Sequence, residues 1–375
     1  MKTWFIDKKG SVIECKILEE GRSRRIIELL EGPKKGKKKV IPPDGVGGKR
    51  FYPRVLFSEE KPGIFNFKGR VLAQHQKTHD LVPKIDPHFA FQPFTKDVID
   101  SINSKENVIL TGGTGTGKTT SIVQLAARIN QPVVRINFNG ETRLYDFLGK
   151  MHIHGGNTQW VDGVLPMAMR KGYWLLLDEL DFADPAVLSL LHPVLEDNPL
   201  LVLKENNGEV IIPHPDFRIF ATANSIGAMQ DRAGSYSGTQ NMNDAFLDRW
   251  IILHVPNLPL KDELRVVRGK VPGLRGRWAR RIVEFAKKCR EHVEEGADFG
   301  SDNFSTRRVL LWARKSALLR SPVEGAKIAW LDKIPKGEQD GILKILELFF
   351  GKKKEKSQED IEPKKLGRPK KHKVS

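Results

Sequence analysis

Residues 108–120 read Val-Ile-Leu-Thr-Gly-Gly-Thr-Gly-Thr-Gly-Lys-Thr-Thr. A short apolar run gives way to interleaved glycines and threonines, and Lys118-Thr119 then opens a helical pattern at Ile122, Leu125, Ala126 and Ile129. Gly112, Gly117, Lys118 and Thr119 complete the G-x-x-x-x-G-K-[ST] spacing between a strand and a helix. The chemistry this suits is phosphate binding. Glycines let backbone N–H groups turn inward around phosphate oxygens, and the start of the next helix adds partial positive charge. The predicted cradle is Gly112, Gly113, Thr114, Gly115, Thr116, Gly117, Lys118, Thr119 and Thr120, with Lys118 reaching the outer phosphates and the Thr119 hydroxyl ligating Mg²⁺. The ligand is a nucleoside triphosphate.

A second run, Gly172-Tyr-Trp-Leu-Leu-Leu-Asp178-Glu179, ends in adjacent carboxylates. Continuous apolarity is what a strand covered on both faces requires, and its C-terminal end opens on the crevice where α/β sheets bind ligands. Asp178 is predicted to hold Mg²⁺, directly or through water, and Glu179 to orient and polarise the attacking water. Asp216-Phe-Arg-Ile-Phe-Ala-Thr-Ala-Asn224 is another buried strand with a polar end, so the Asn224 amide is predicted to position water against the terminal phosphate. Arg249, just before the apolar run Ile251–Val255, is a candidate arginine finger. Arg307 falls in the first turn of a helix capped by Ser305, where a cation opposes the helix dipole unless an anion is nearby.

The elements that position these residues predict an α/β fold, a parallel sheet flanked by helices. Residues 1–60 read as a small, basic, β-rich module: Trp4–Ile6, Val12–Ile17 and Arg25–Leu30 are strand-like, followed by a lysine-rich loop over Gly32–Lys39. Proline-broken residues 61–95 read as a connector, with Phe89, Phe91 and Phe94 packing on the nucleotide-binding domain. That domain spans residues 96–257 and includes hairpins near 151–160 and 201–212. Residues 258–350 read as helical, with Trp278, Ile282, Phe285, Cys289 and Val293 on one face and Glu284 paired to Lys288. Residues 351–375 lack apolar content and read as a disordered basic tail, in which Gly367-Arg-Pro-Lys-Lys resembles an AT-hook core.

Hydrophobic residues at 39% and charged residues at 29% of 375 are ordinary for a globular protein. The two cysteines suggest no disulfide framework, and there is no apolar run of signal-peptide or membrane-spanning kind, so a cytoplasmic protein is expected. The net charge of +17 is concentrated at the ends: residues 1–60 carry fifteen Lys/Arg against nine Asp/Glu, and residues 351–375 carry ten against four. Basic ends on a nearly balanced middle suit an acidic partner such as nucleic acid, and equally suit solubility.

In their order, the P-loop, Asp178-Glu179, Asn224, Arg249 and Arg307 resemble the Walker A, Walker B, sensor 1, arginine finger and sensor 2 of AAA+ ATPases. The two hairpins resemble insertions of the MoxR branch. Within it, Ile85–Phe89, Ala126–Asn137, Asp162–Pro166, Pro213–Asn224 and Gly238–Trp250 look like the small (S) subunits of aerobic cobaltochelatases (CobS). The resemblance implies an all-α lid after the α/β domain, and an Mg²⁺-dependent ATPase ring, hexameric in this family's manner, with ATP between subunits and Arg249 acting in trans. It also implies Arg307 as the lid's nucleotide contact, a von Willebrand A-type partner, and a protein client such as a metal chelatase. The basic ends depart from that family. Two readings stay open: a ring that remodels a protein partner, and a nucleic-acid-associated machine tethered by those ends.

Overall fold

The computed structural model describes residues 2–6, 12–20, 25–30, 34–41, 55–58, 63–75, 79–139, 142–224, 242–294 and 304–351. The predicted disordered tail, with its Gly367-Arg-Pro-Lys-Lys segment, lies outside the described residues apart from Gly351.

Apolar runs decide the centre of the molecule. Before it come β1 (Lys2–Ile6), β2 (Val12–Glu20), β3 (Arg25–Leu29), β4 (Lys38–Ile41) and β5 (Val55–Ser58), which form an antiparallel sheet in the order β4-β3-β2-β1-β5. Two of these strands are not apparent in the sequence. β4 is built from the end of the lysine run, because pairing across the turn at Gly36 draws Lys38 and Lys39 into register with Glu28 and Ile27. Among the described residues of this sheet, Cys15, Ile27 and Leu29 form a small buried cluster.

Residues 61–95 are more than a connector. β6 (Ile64–Phe67) and β7 (Arg70–Ala73) form a hairpin around Lys68-Gly69, whose φ values of 48° and 88° belong to the tight turn that matches strand twist. Prolines later in the segment mask this four-residue pattern. Phe65 and Phe67 pack against Phe91 at 5.7 and 5.6 Å, and Phe91 and Phe94 join the main core as expected, whereas Phe89 lies outside it, edge-on to Phe91 at 5.0 Å.

The main sheet contains β8 (Val108–Thr111), β9 (Val133–Asn137), β12 (Trp174–Asp178), β15 (Arg218–Ala223) and β16 (Ile251–His254), all parallel, in the order β16-β8-β15-β12-β9. Every residue of the three central strands is buried, as doubly covered strands demand, whereas the outer two are partly exposed. One face is covered by α1 (Thr95–Ser104) and α2 (Lys118–Arg128) through Val98, Ile99, Ile122 and Leu125. Phe147 of α3 (Leu144–Leu148), Met169 of α4 (Val164–Lys171), Leu191 of α5 (Pro185–Leu191) and Phe246 of α6 (Asp244–Leu247) fill the other. Pro193 prevents α5 from continuing beyond Leu191, and a 3-10 turn over His192–Val194 follows it.

Two hairpins leave this body: β10 (Gly149–His154) with β11 (Asn157–Asp162), and β13 (Leu201–Leu203) with β14 (Glu209–Ile211). Arg170 of α4 braces them, donating to Asp162 at 2.9 Å and to Glu209 at 2.7 Å. The helical end consists of α7 (Leu260–Lys270), α8 (Gly276–Glu294), α9 (Thr306–Leu319), α10 (Pro322–Ala329) and α11 (Lys336–Phe350) around a core that contains Phe285, Trp312 and Trp330. Ile282, Phe285 and Cys289 are buried, as the helical spacing predicts. The predicted Glu284–Lys288 pair is not formed: Glu284 binds Arg280 at 2.8 Å, and Lys288 lies 5.9 Å from the Phe349 ring, because packing on α11 draws its stem away.

Candidate nucleotide site

The four residues of β8 deliver the chain to Gly112, and α2 starts at Lys118, so the whole glycine loop crosses the C-terminal edge of the sheet. Two glycines are required by contact as well as by φ. A Cβ on Gly112 (φ 139°) would meet the Val255 carbonyl at 2.5 Å, and one on Gly115 (φ 76°) would meet Ser305 at 2.7 Å.

Lys118 is only 8% exposed, and its ammonium donates to the carbonyls of Gly112 (2.6 Å) and Gly113 (3.1 Å) and to Asn224 Oδ1 (2.9 Å). Burial lowers its pKa to about 8, opposed by the charges of Asp181, Asp178 and Glu179. Three oxygens thus surround a desolvated cation beside the glycine loop.

Thr119 donates to Asp178 Oδ1 at 2.7 Å, and the same oxygen accepts from the Thr222 hydroxyl. Arg135 of β9 pairs with Asp178 Oδ2. The Thr222 hydroxyl also accepts from the Glu179 backbone N–H at 3.1 Å. Glu179 adopts the left-handed conformation (φ 57°) and is exposed, so its carboxylate is available to a ligand while its backbone is tied to the sheet. Asp181, fully buried, accepts from the Asn224 backbone N–H at 3.0 Å and thereby fixes the end of β15 beside Lys118.

Thr222, Asp181 and Arg135 are additions that motif spacing does not single out. Two signals are available for the first two: Thr222 shares a strand face with Asn224, two residues on, and Asp181 follows Asp178 by three residues in the same turn. Arg135 meets Asp178 only because β9 and β12 are neighbours in register.

The structure brings Lys118, Thr119, Asp178 and Asn224 together, places Glu179 beside them, and sets Arg307 against the loop. Arg307 Cβ lies 3.4 Å from the Cβ position of Gly115, and its charge depresses the Lys118 pKa. Arg249 stands elsewhere. Its carbonyl accepts from Asn107, the residue before β8, at 3.0 Å, and its guanidinium is held by Glu196 at 2.6 and 2.9 Å and by the Ala245 carbonyl. Four strand residues, roughly 13 Å at about 3.3 Å each, separate Asn107 from the glycine loop.

The donors fit Mg²⁺ with a triphosphate. Thr119 and Asp178 present two hard oxygens at hydrogen-bonding distance, and a cation of this kind completes its shell with phosphate oxygens and water.

Comparison with known proteins places the chain in a family. Residues 107–249 match the AAA domain of the dynein-related subfamily. Aerobic cobaltochelatase subunit CobS from Sinorhizobium sp. is 33% identical over 287 residues, covering 74% of this chain and 85% of the relative. Midasin from Dictyostelium discoideum is 34% identical over 212 residues, 55% of this chain but 3% of that much longer protein. The gas vesicle ATPase GvpN of Haloferax mediterranei is 26% identical over 255 residues, covering 60% of this chain and 71% of the relative. By the family model and by its likeness to CobS over most of both chains, the chain belongs to the AAA+ ATPases of the MoxR-like, CobS-related kind.

Proposed function

We propose that this ATPase works as a ring, hydrolysing Mg²⁺-ATP at sites shared between neighbouring copies in order to remodel or activate a partner protein. The observation that carries the reading is the separation of Arg249 from the glycine loop of its own chain. A guanidinium at the opposite edge of the sheet serves a neighbour's site more readily than its own.

In this reading Lys118, Arg307 and the N–H groups of Gly112–Thr120 bind the phosphates, and Thr119 and Asp178 hold Mg²⁺, which supplies charge neutralisation when bound. Glu179 accepts a proton from the attacking water, while Asn224, fixed through Asp181, orients that water. Arg249 of the adjacent copy offsets charge developing on the transferred phosphoryl group. Support for a protein client comes from the two hairpins, which carry Ile153 at 81% exposure and Val202, Val210 and Ile212 on the outer side of β13–β14. The likeness to an aerobic cobaltochelatase subunit supports a metal chelatase subunit as one such client. In this reading the ring is a hexamer in the cytoplasm, accompanied by a von Willebrand A-type protein.

Mixing inactive variants tests the shared site. Glu179→Gln and Arg249→Ala are each expected to bind ATP without turnover, whereas mixed rings regain part of the activity. A mixed interface can pair an intact Glu179 with an intact Arg249. No recovery in rings shown to contain both variants overturns the trans assignment.

A further inference from the structure

The helical end contains a fully buried charged cluster that the site as described does not use. Glu263 of α7 is 0% exposed and Arg290 of α8 is 6% exposed, and they form a two-pronged ion pair at 2.7 and 2.8 Å. Both also reach the start of α9. Arg290 Nε donates to the Phe304 carbonyl at 2.6 Å, and the Thr306 hydroxyl donates to Glu263 Oε1 at 2.8 Å. The residues on either side of Ser305 are therefore fastened to two other helices.

Stability is a weak reason for such a cluster. Removing two charges from water costs nearly as much as their attraction returns, and the apolar core around Phe285, Trp312 and Trp330 already holds these helices together. What a forked guanidinium–carboxylate pair adds is geometry, since it accepts one distance and one plane. That geometry has a target. Ser305 Cβ and Oγ both lie 2.7 Å from the Cβ position of Gly115, and Arg307 Cβ lies 3.4 Å from it. The Ser305 hydroxyl is itself committed to capping α9 at Arg308 N, so the anchoring of this turn falls to its neighbours.

We infer that Glu263, Arg290 and Thr306 are positioning residues for nucleotide binding, holding the first turn of α9 so that Arg307 meets phosphate at the glycine loop. The inference rests on the reading of Arg307 as a phosphate contact. It makes the lid's approach to the loop a property of a charged clamp rather than of apolar packing, and it predicts that the clamp acts through Arg307 alone.

A double-variant cycle on the full chain tests this, with the dissociation constant of a fluorescent ATP analogue and the KM and kcat for ATP as readouts. Glu263→Gln is expected to weaken binding and raise KM by up to about a hundredfold, with kcat the smaller change, as misplacement of a binding group does. In an Arg307→Ala background the same substitution is expected to add nothing, because the group it positions is gone. Should Glu263→Gln not fold, Thr306→Val removes one hydroxyl with little change of shape. It is expected to weaken binding about two- to tenfold, again only when Arg307 is present, and Thr306→Ser should restore it. A fall in Tm with unchanged binding, or effects that multiply in the double variant, overturns the clamp. If Arg307→Ala alone leaves binding unchanged, the phosphate role of Arg307 falls and the clamp with it. If Arg307→Ala weakens binding and the clamp variants do not, the clamp alone falls.

Discussion

The two edges of the main sheet are built in opposite ways. At the C-terminal edge, two hydrogen-bonded groups, Lys118–Asn224–Asp181 and Thr119–Asp178–Thr222, are contributed by three neighbouring strands and their following turns. At the N-terminal edge, Arg249 has one carboxylate partner among the described residues, Glu196, and both side chains are partly exposed, 28% and 51%. The first arrangement suits chemistry that one chain must organise by itself, because hydrogen bonds linked in a low-dielectric interior reinforce one another and hold their members in place. The second suits a group that has to leave its partner and enter another copy's site. An exposed pair, worth about 0–1 kcal/mol, holds Arg249 in place without competing with a triphosphate.

That contrast can be broken experimentally. The largest effect is expected from Arg249→Ala: turnover per ring should fall by roughly 10³–10⁵, with affinity for the ATP analogue nearly unchanged. An equal loss of affinity would place Arg249 in the binding set and erase the distinction. Thr222→Val strikes the dense edge. It leaves the Glu179 N–H without its acceptor and removes one of the two donors to Asp178 Oδ1, and kcat should fall about ten- to a hundredfold by analogy with the groups that hold metal ligands in place. A rate within a factor of two of the parent would show that the network is only structural.

The pH dependence follows from the burial of Lys118. Its pKa of about 8 means that the free enzyme loses the positive charge as pH rises through that value, and phosphate binding weakens with it. The kcat/KM for ATP should therefore fall about tenfold per pH unit above that point. Bound phosphate favours the charged form, so kcat should hold to higher pH. A kcat/KM flat to about pH 9.5 would contradict the depressed value. The smallest effect is expected at the sparse edge: Glu196→Ala should change Tm and turnover by no more than an exposed ion pair is worth, about 1 kcal/mol. A large loss would mean that Glu196 aims the finger rather than parks it.

Sequence and structure divide along the range of the interactions. The hairpin at Lys68-Gly69 is hard to see in the sequence because prolines at 83, 87 and 93 give its whole segment the character of a linker. The strand at Lys38–Ile41 is equally hidden, because lysines carry a loop signal until a partner strand supplies register. Thr222 and Asp181 stand two and three residues from Asn224 and Asp178, yet nothing local distinguishes a hydroxyl that bridges Asp178 and Glu179 from one that merely fills a strand.

The sequence by itself determined the nucleotide loop, its lysine and threonine, and the carboxylates at the end of an apolar strand. Those depend on spacing within one turn or one strand, which backbone geometry converts directly into position. Tertiary structure alone decided that Arg135 meets Asp178, that Ser305 and Arg307 rest on Gly115, and that Arg249 lies at the far edge from its own loop. Each of these follows from the order and register of parallel strands and from helices that pack across them. The contacts join residues 43 to well over a hundred positions apart, as with Arg135 and Asp178 or Asn107 and Arg249. No short-range pattern encodes such distances, because they are set when the whole sheet buries its two faces at once.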